Sequence, residues 1–293
     1  MAGSPHAPRS TRWLDRRVIA YAHQGGAWEA PSSTLHAIAA AVEAGATGVE
    51  LDVHATSDGQ LVVCHDPTVD RTTDGTGEIA DLTLEQLRRL DNAYWWAPGA
   101  DVSPGLEPDQ YPFRGRAPDD PRFGIAPLEA VLEEFPEVIL NLDIKRTAPV
   151  VAPYEEALAG MLRRFGRADD VIVASFIDSA TEAFSSFAPE IPTSAGTLTA
   201  AAFLQSVRAG EVPAPMPHVA LQVPASYGDI VLVDERFVTV AHEQGLAVHV
   251  WTIEEEAEME RLYALGVDGI ITDRPSALVG VLDRLGGAWQ PGA

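Results

Sequence analysis

Residues 48–56, GVELDVHAT, alternate strictly: Val49, Leu51 and Val53 fall on one side of an extended chain, Glu50, Asp52 and His54 on the other. In a parallel barrel the apolar side packs on surrounding helices, which leaves the two carboxylates pointing into the barrel mouth. Two like charges about 6 to 7 Å apart in a poorly solvated place repel unless a cation or a proton compensates. The pattern returns at 138–145, VILNLDIK, with Asn141, Asp143 and Lys145 on one face and Leu140, Leu142 and Ile144 on the other.

Outward from these two stretches, short β-branched runs recur at 18–23, 48–53, 138–144, 171–175, 192–196, 218–223, 247–252 and 269–272. Amphipathic segments separate them. Leu35, Ile38 and Val42 form one helical stripe ended by Gly45, and Met259, Leu262 and Leu265 another before Gly266. Eight strands each followed by a helix predict an α/β fold closed as a (β/α)8 TIM barrel. An open doubly wound sheet is the alternative, but the nucleotide-binding glycine signature expected after its first strand is missing. Residues 61–66 and 230–233 read as extra short extended pieces.

The domain organisation expected is a loose tail over 1–16 and one barrel domain over 17–288. Residues 92–124, rich in Pro, Gly and aromatics, form a lid-like loop inserted after the second barrel unit. Its aromatics, Tyr94, Trp95, Trp96, Tyr111 and Phe113, either pack the loop on the barrel or build a lid that receives a lipid chain.

A net charge of −23 over 293 residues argues against a nucleic-acid partner, since each neutralised phosphate needs a surface Lys or Arg. An anionic small molecule needs concentrated positive charge instead, such as a bound metal. Cys64 is the single cysteine, so no internal disulfide forms. No apolar run approaches a membrane span and the first residues lack a signal-type apolar region, so the expected location is cytoplasmic.

Glu50, Asp52 and Asp143 make a hard oxygen site suited to one divalent cation, Mg²⁺ or Ca²⁺, with Lys145 as fixed charge beside it. The blander alternative is that the acids simply pair with Lys145 and a nearby arginine. His23 ends an apolar run and is followed by Gln24, Gly25 and Gly26; His65 ends the run LVVC just downstream of the acidic strand. Two imidazoles and a cation suit phosphodiester cleavage, one taking a proton from the nucleophile and the other giving one to the leaving alkoxide. His36, His54, His218, His242 and His249 read as ordinary core or surface histidines. Cys64 reads as a buried thiol, Asp66 as a turn residue, and Asp268 and Asp273 as turn and helix-cap residues.

Read in order, AHQGG, PSSTLHAI, GATGVELDVHATSDGQLVVCHDPTVDRTTDGTG, LTLEQLRRLD, LNLDIK, VHVWTI and GVDGIITDRP resemble the glycerophosphodiester phosphodiesterase family from about residue 18 to residue 283. The resemblance implies a (β/α)8 barrel, a divalent metal and two catalytic histidines. Residue by residue it implies His23 and His65 as the acid/base pair and Glu50 and Asp52 as metal ligands. Asp143 stands where the family usually has a glutamate ligand. Lys145 matches the lysine near the phosphate and Trp251 the tryptophan lining the pocket. Two departures bear on substrate: Gln24 replaces the usual arginine after the first histidine, keeping only a hydrogen-bond donor, and Ser32 replaces the usual glutamate, with Glu29 a stand-in.

The expected function is therefore metal-dependent hydrolysis of glycerophosphodiesters to glycerol phosphate and an alcohol. A lysophospholipase D, with its lysolipid chain under loop 92–124, is the alternative within the same chemistry. A barrel that binds a phosphodiester or glycan without turnover is the alternative outside it.

Overall fold

The computed structural model describes residues 12–117 and 119–290. The ring is built from parallel strands β1 (Ile19–His23), β2 (Gly48–Ala55), β4 (Ile139–Ile144), β5 (Val171–Ala174), β6 (Ala220–Pro224), β9 (Ala247–Trp251) and β10 (Gly269–Thr272). They lie in the order β5-β4-β2-β1-β10-β9-β6. Closure comes from Thr193, bridged to Val173, and Ser194, bridged to Ala220. The strand expected at 192–196 is thus reduced to these two residues, because Pro192 has no N–H to give and Gly196 already caps the next helix. The barrel closes nonetheless, and the open doubly wound sheet is set aside.

Three strands lie off the ring: β3 (Leu61–Val63), antiparallel on β2, and the hairpin of β7 (Ser226–Tyr227) and β8 (Ile230–Val231). The helices are α1 (Arg12–Asp15), α2 (Leu35–Glu43), α3 (Leu84–Leu87), α4 (Leu128–Glu134) and α5 (Glu155–Arg164). They continue with α6 (Asp178–Phe187), α7 (Thr197–Ala209), α8 (Glu235–Glu243), α9 (Glu256–Leu265) and α10 (Pro275–Leu285). Val49, Leu51, Leu140 and Leu142 point outward and share a core with Ile38, Val131 and Leu158 of the helix layer. The same alternation turns Glu50, Asp52 and Asp143 inward.

Residues 1–11 of the expected tail lie outside the described residues. Arg12–Asp15 is helical rather than loose, because Trp13 is buried with Tyr21 and Ile139 at the barrel's base. Among the described residues no helix is long and apolar enough to cross a membrane.

Loop 92–124 packs on the barrel over β1 and β2. Trp96 donates to the Ala27 carbonyl (2.8 Å), Asn92 to the Ser32 carbonyl (2.9 Å) and Trp95 to the Thr73 carbonyl (3.0 Å). Phe113 stacks between Trp96 and Phe123, with His36 of α2 against both phenylalanines.

Candidate active site

Register brings the inward residues together. His23 on β1 pairs with Glu50 on β2, and Asp52 on β2 pairs with Asp143 on β4. Adjacent strands stand roughly 4.8 Å apart, so three carboxylates and an imidazole crowd one end of the ring. That end is the carboxyl end of the strands, where barrels of this class place their chemistry.

A tight turn follows His23. Gln24, Gly25 and Gly26 have φ of 52°, 88° and 94°. A Cβ at Gly25 meets that of Ala37 at 2.8 Å, and one at Gly26 meets Pro275 at 2.7 Å. Only glycine lets the turn sit between α2 and the start of α10, which fixes the direction of His23.

Each histidine has a carboxylate at its Nδ1. His23 Nδ1–H donates to Asp273 Oδ1 at 2.6 Å, and its Nε2 lies 3.7 Å from Glu50 Oε2. His65 Nδ1–H donates to Asp66 Oδ1 at 2.7 Å. A proton held on Nδ1 leaves Nε2 as the reactive nitrogen of both rings. The ring centroids are 6.4 Å apart.

Burial works against a charged His23. The Asp273 hydrogen bond and the charges of Glu50, Asp273 and Asp52 outweigh it and raise the ring to about 9. Asp66 is held well below the usual carboxylate range, first by the His65 hydrogen bond and then by Arg71 against the opposing effect of burial. Arg71 Nε reaches Asp66 at 2.6 Å, and its other arm binds Asp101 of the long loop.

Burial, followed by the charge of Asp52, raises both Glu50 and Asp143 above the ordinary carboxylate range. Lys145 Nζ lies 3.0 Å from Asp52 and 3.9 Å from Asp143. This contact matches the blander expectation for Lys145, but it leaves Asp52 Oδ2 and Asp143 Oδ1 buried without a hydrogen-bond partner. Among the described residues no three His, Cys, Asp or Glu side chains are arranged around one metal position as they stand. The donor set nonetheless fits a hard divalent ion: three carboxylates against one lysine, two orphaned oxygens, and protonation favoured where charge is in excess.

His23, Glu50, Asp52, His65, Asp143, Lys145 and Trp251 line a cavity of about 690 Å³. Gln24 does not. It is 3% exposed, and its amide turns to His23 Nε2 at 3.2 Å rather than into the cavity. Glu29 accepts from Ser276 at the start of α10, a cap role away from the acids. His54 and His249 are buried, and burial drives each down to about 4, so both are neutral core residues. Cys64 is buried and pushed up to about 12, an inert thiol.

Asp66 and Asp273 correct the turn and cap expectations, since each holds an imidazole. The signals were present: Asp66 adjoins His65, and in a closed barrel the last strand neighbours the first.

The model of the glycerophosphoryl diester phosphodiesterase family matches residues 23–277. The chain belongs to this family. The glycerophosphodiester phosphodiesterase of Caldanaerobacter subterraneus is 31% identical over 278 residues, 92% of this chain and 100% of that protein. Human glycerophosphodiester phosphodiesterase 1 is 60% identical over 77 residues, 26% of this chain and 23% of its own. A glycerophosphoryl diester phosphodiesterase domain from Mycobacterium tuberculosis has the same fold, with TM-score 0.75, 23% identity, and coverage of 92% of this chain and 98% of that one. A phosphodiesterase from Oleispira antarctica, solved with the product sn-glycerol-3-phosphate, gives TM-score 0.67 at 22% identity over 91% of this chain and 96% of its own. As a member of the glycerophosphoryl diester phosphodiesterase family the chain is a phosphoric diester hydrolase, which removes the binding-only alternative.

Proposed function

We propose that the protein hydrolyses glycerophosphodiesters to glycerol phosphate and an alcohol, with His23 and His65 as the acid/base pair and Glu50, Asp52 and Asp143 as ligands of one divalent cation. The observation that carries this reading is the pair of imidazoles 6.4 Å apart, each backed by a carboxylate at Nδ1, above a floor of three acids. The cation, Mg²⁺ or Ca²⁺, supplies charge neutralisation of the phosphate and of the acids that hold it.

The chain's own residues do the rest. His65, the more exposed ring, takes a proton at Nε2 from the attacking water. The oxygen of that water bonds to phosphorus as the ester P–O bond breaks, and His23 Nε2–H delivers its proton to the departing alkoxide. A ring raised to about 9 is protonated at neutral pH, as a general acid must be. Asp273 and Asp66 keep Nδ1 protonated and the rings aimed. Lys145 offers a cation to a phosphate oxygen, Trp251 walls the cavity, and Gln24 lies buried beside His23 rather than gripping substrate.

The sn-glycerol-3-phosphate bound by the Oleispira antarctica relative supports this substrate class. Purified protein assayed with glycerophosphocholine and glycerophosphoethanolamine tests the reading. Release of glycerol phosphate and free alcohol is expected, and hydrolysis of neither diester under any divalent cation overturns it.

A further inference from the structure

Among its described residues loop 92–124 holds two short 3-10 helices, Pro108–Gln110 and Pro121–Phe123, so side-chain contacts fix much of its course. None of those residues lines the cavity, yet Asp101 reaches the site through Arg71. What holds Arg71 and Asp101 against each other is therefore part of what holds His65.

The two are framed in the same way. Arg71 stands two residues before Thr73, whose carbonyl accepts the indole N–H of Trp95 at 3.0 Å. Asp101 stands two residues before Ser103, whose carbonyl accepts the Tyr111 hydroxyl at 2.6 Å and whose amide donates to the Trp95 carbonyl at 2.8 Å. The Tyr111 oxygen also accepts from the Leu106 amide at 3.0 Å. Trp95 and Tyr111 meet edge to face, ring centroids 6.1 Å apart.

Both rings lie against one cation. The guanidinium carbon of Arg114 is 3.5 Å from the centre of the Tyr111 ring, 4.3 Å from that of Tyr94 and 4.8 Å from that of Trp95. Arg114 Nε donates to the Tyr94 carbonyl at 2.7 Å, which aims the guanidinium plane, while Nη2 is buried with no hydrogen-bond partner. A weakly hydrated, planar cation is drawn to aromatic faces and can serve several at once, so the rings take the place of water around Arg114.

We propose that Arg114 is a positioning residue for His65, setting Trp95 and Tyr111 and through them the Arg71 and Asp101 pair. Arg71 spreads its guanidinium between Asp66 and Asp101, so a shift of either framed segment turns Asp66, and with it the ring whose Nδ1 lies 2.7 Å away. The inference rests on the hydrolase reading above and adds to that site a residue that does not line its cavity.

The experiment uses the full chain and compares wild type with Arg114→Met, which keeps an unbranched stem but no charge and no donor. The variant is made alone and in the Arg71→Met and Asp273→Asn backgrounds. Turnover of glycerophosphocholine gives kcat and KM. Spectra of ¹⁵N-histidine-labelled protein, with the His65 ring assigned from His65→Ala, read the ring independently of turnover. Alone, Arg114→Met lowers kcat about fivefold with KM within about twofold, as a misaimed base requires. It moves the His65 Nδ1–H signal and leaves that of His23 in place. In the Arg71→Met background the further loss is less than about twofold, and in the Asp273→Asn background it is again about fivefold. If Arg114→Met does not fold, Tyr111→Phe, which removes only the hydroxyl that holds Ser103, carries the same test with a loss of about threefold.

A kcat within twofold of wild type, an unmoved His65 signal, or an undiminished loss in the Arg71→Met background overturns the positioning role and leaves the hydrolase reading standing. No hydrolysis by the wild type, with the His65 signal still displaced in Arg114→Met, overturns that reading and keeps the positioning role. No hydrolysis and an unmoved signal overturn both.

Discussion

His23 ends a ring strand and its side chain is 20% exposed, whereas His65 follows a three-residue strand outside the ring and is 41% exposed. The difference extends to what holds them. Asp273, which binds His23, follows β10, and β10 pairs with β1 along Ile19–Ala22. Asp66, which binds His65, is secured by Arg71, and Arg71 by Asp101 on the long loop. One imidazole is thus positioned by the barrel and the other by a chain of ion pairs reaching into inserted sequence. Strand-borne groups hold their geometry better than loop-borne ones, so in the proposed reaction the loop acts through the position it gives His65.

The comparison breaks most visibly at the rings themselves. His23→Ala and His65→Ala each lower kcat on glycerophosphocholine by about 10³-fold, within the range of a lost acid or base, with circular dichroism unchanged. A ring whose loss leaves the rate intact is outside the mechanism.

At the carboxylates the two sides separate. Asp273→Asn is expected to lower kcat by about 10²-fold and to drop the His23 pKa from about 9, because the hydrogen bond and charge that offset burial are gone. A general acid must be protonated, so the alkaline limb of the kcat–pH profile moves to lower pH. Asp66→Asn lowers kcat by a similar factor without moving that limb. A limb displaced equally by both variants would contradict the separate roles.

Further out the effects shrink on the His65 side alone. Arg71→Met is expected to lower kcat about tenfold, and Asp101→Asn only several-fold, since Arg71 still reaches Asp66. In the double variant Arg71→Met/Asp101→Asn the losses are less than additive, as a shared chain requires. Additive losses in that cycle would mean that the loop acts on His65 by some other route.

The smallest effect is on stability, a few degrees in Tm. Glu50, Asp143 and His23 all bind protons more tightly in the folded chain than when unfolded. The stability they contribute is therefore present at low pH. It is lost as pH rises above the ordinary carboxylate range for the two acids, and from about 6.5 through about 9 for His23. Thermal melts in chelator should fall as pH rises, and an added divalent cation should raise the alkaline values most, because it binds the ionised acids. A cation-independent Tm across this range would argue against the carboxylates as ligands.

Much of this was legible in the chain. The alternation of Glu50 and Asp52 with valine and leucine dictates an inward acidic face, and its repetition at Asp143 places both stretches on one ring. The strand at 192–196 was overstated, since a pattern of short residues cannot show that Pro192 and Gly196 leave only Thr193 and Ser194 to pair. Gln24 read as a substrate contact because it stands where an arginine would reach outward. Its positive φ and the packing of the glycine turn bury it instead. The partner of His23 was missed for a topological reason, since Asp273 is 250 residues away in sequence and adjacent only once the barrel closes, whereas Asp66 stands next to His65 and its place before Pro67 reads as a turn. The loop aromatics read either as packing or as a lid for a lipid chain, and composition does not show how they divide: Phe113 packs on His36 of α2 with Trp96 behind it, while Tyr94, Trp95 and Tyr111 close around Arg114.

The most direct test of the central claim is ³¹P NMR of glycerophosphocholine incubated with chelator-treated protein, before and after a divalent cation is restored. The account predicts no change in the diester signal before addition and conversion to a glycerol phosphate signal after it. Conversion at the same rate in excess chelator would contradict a cation held by Glu50, Asp52 and Asp143.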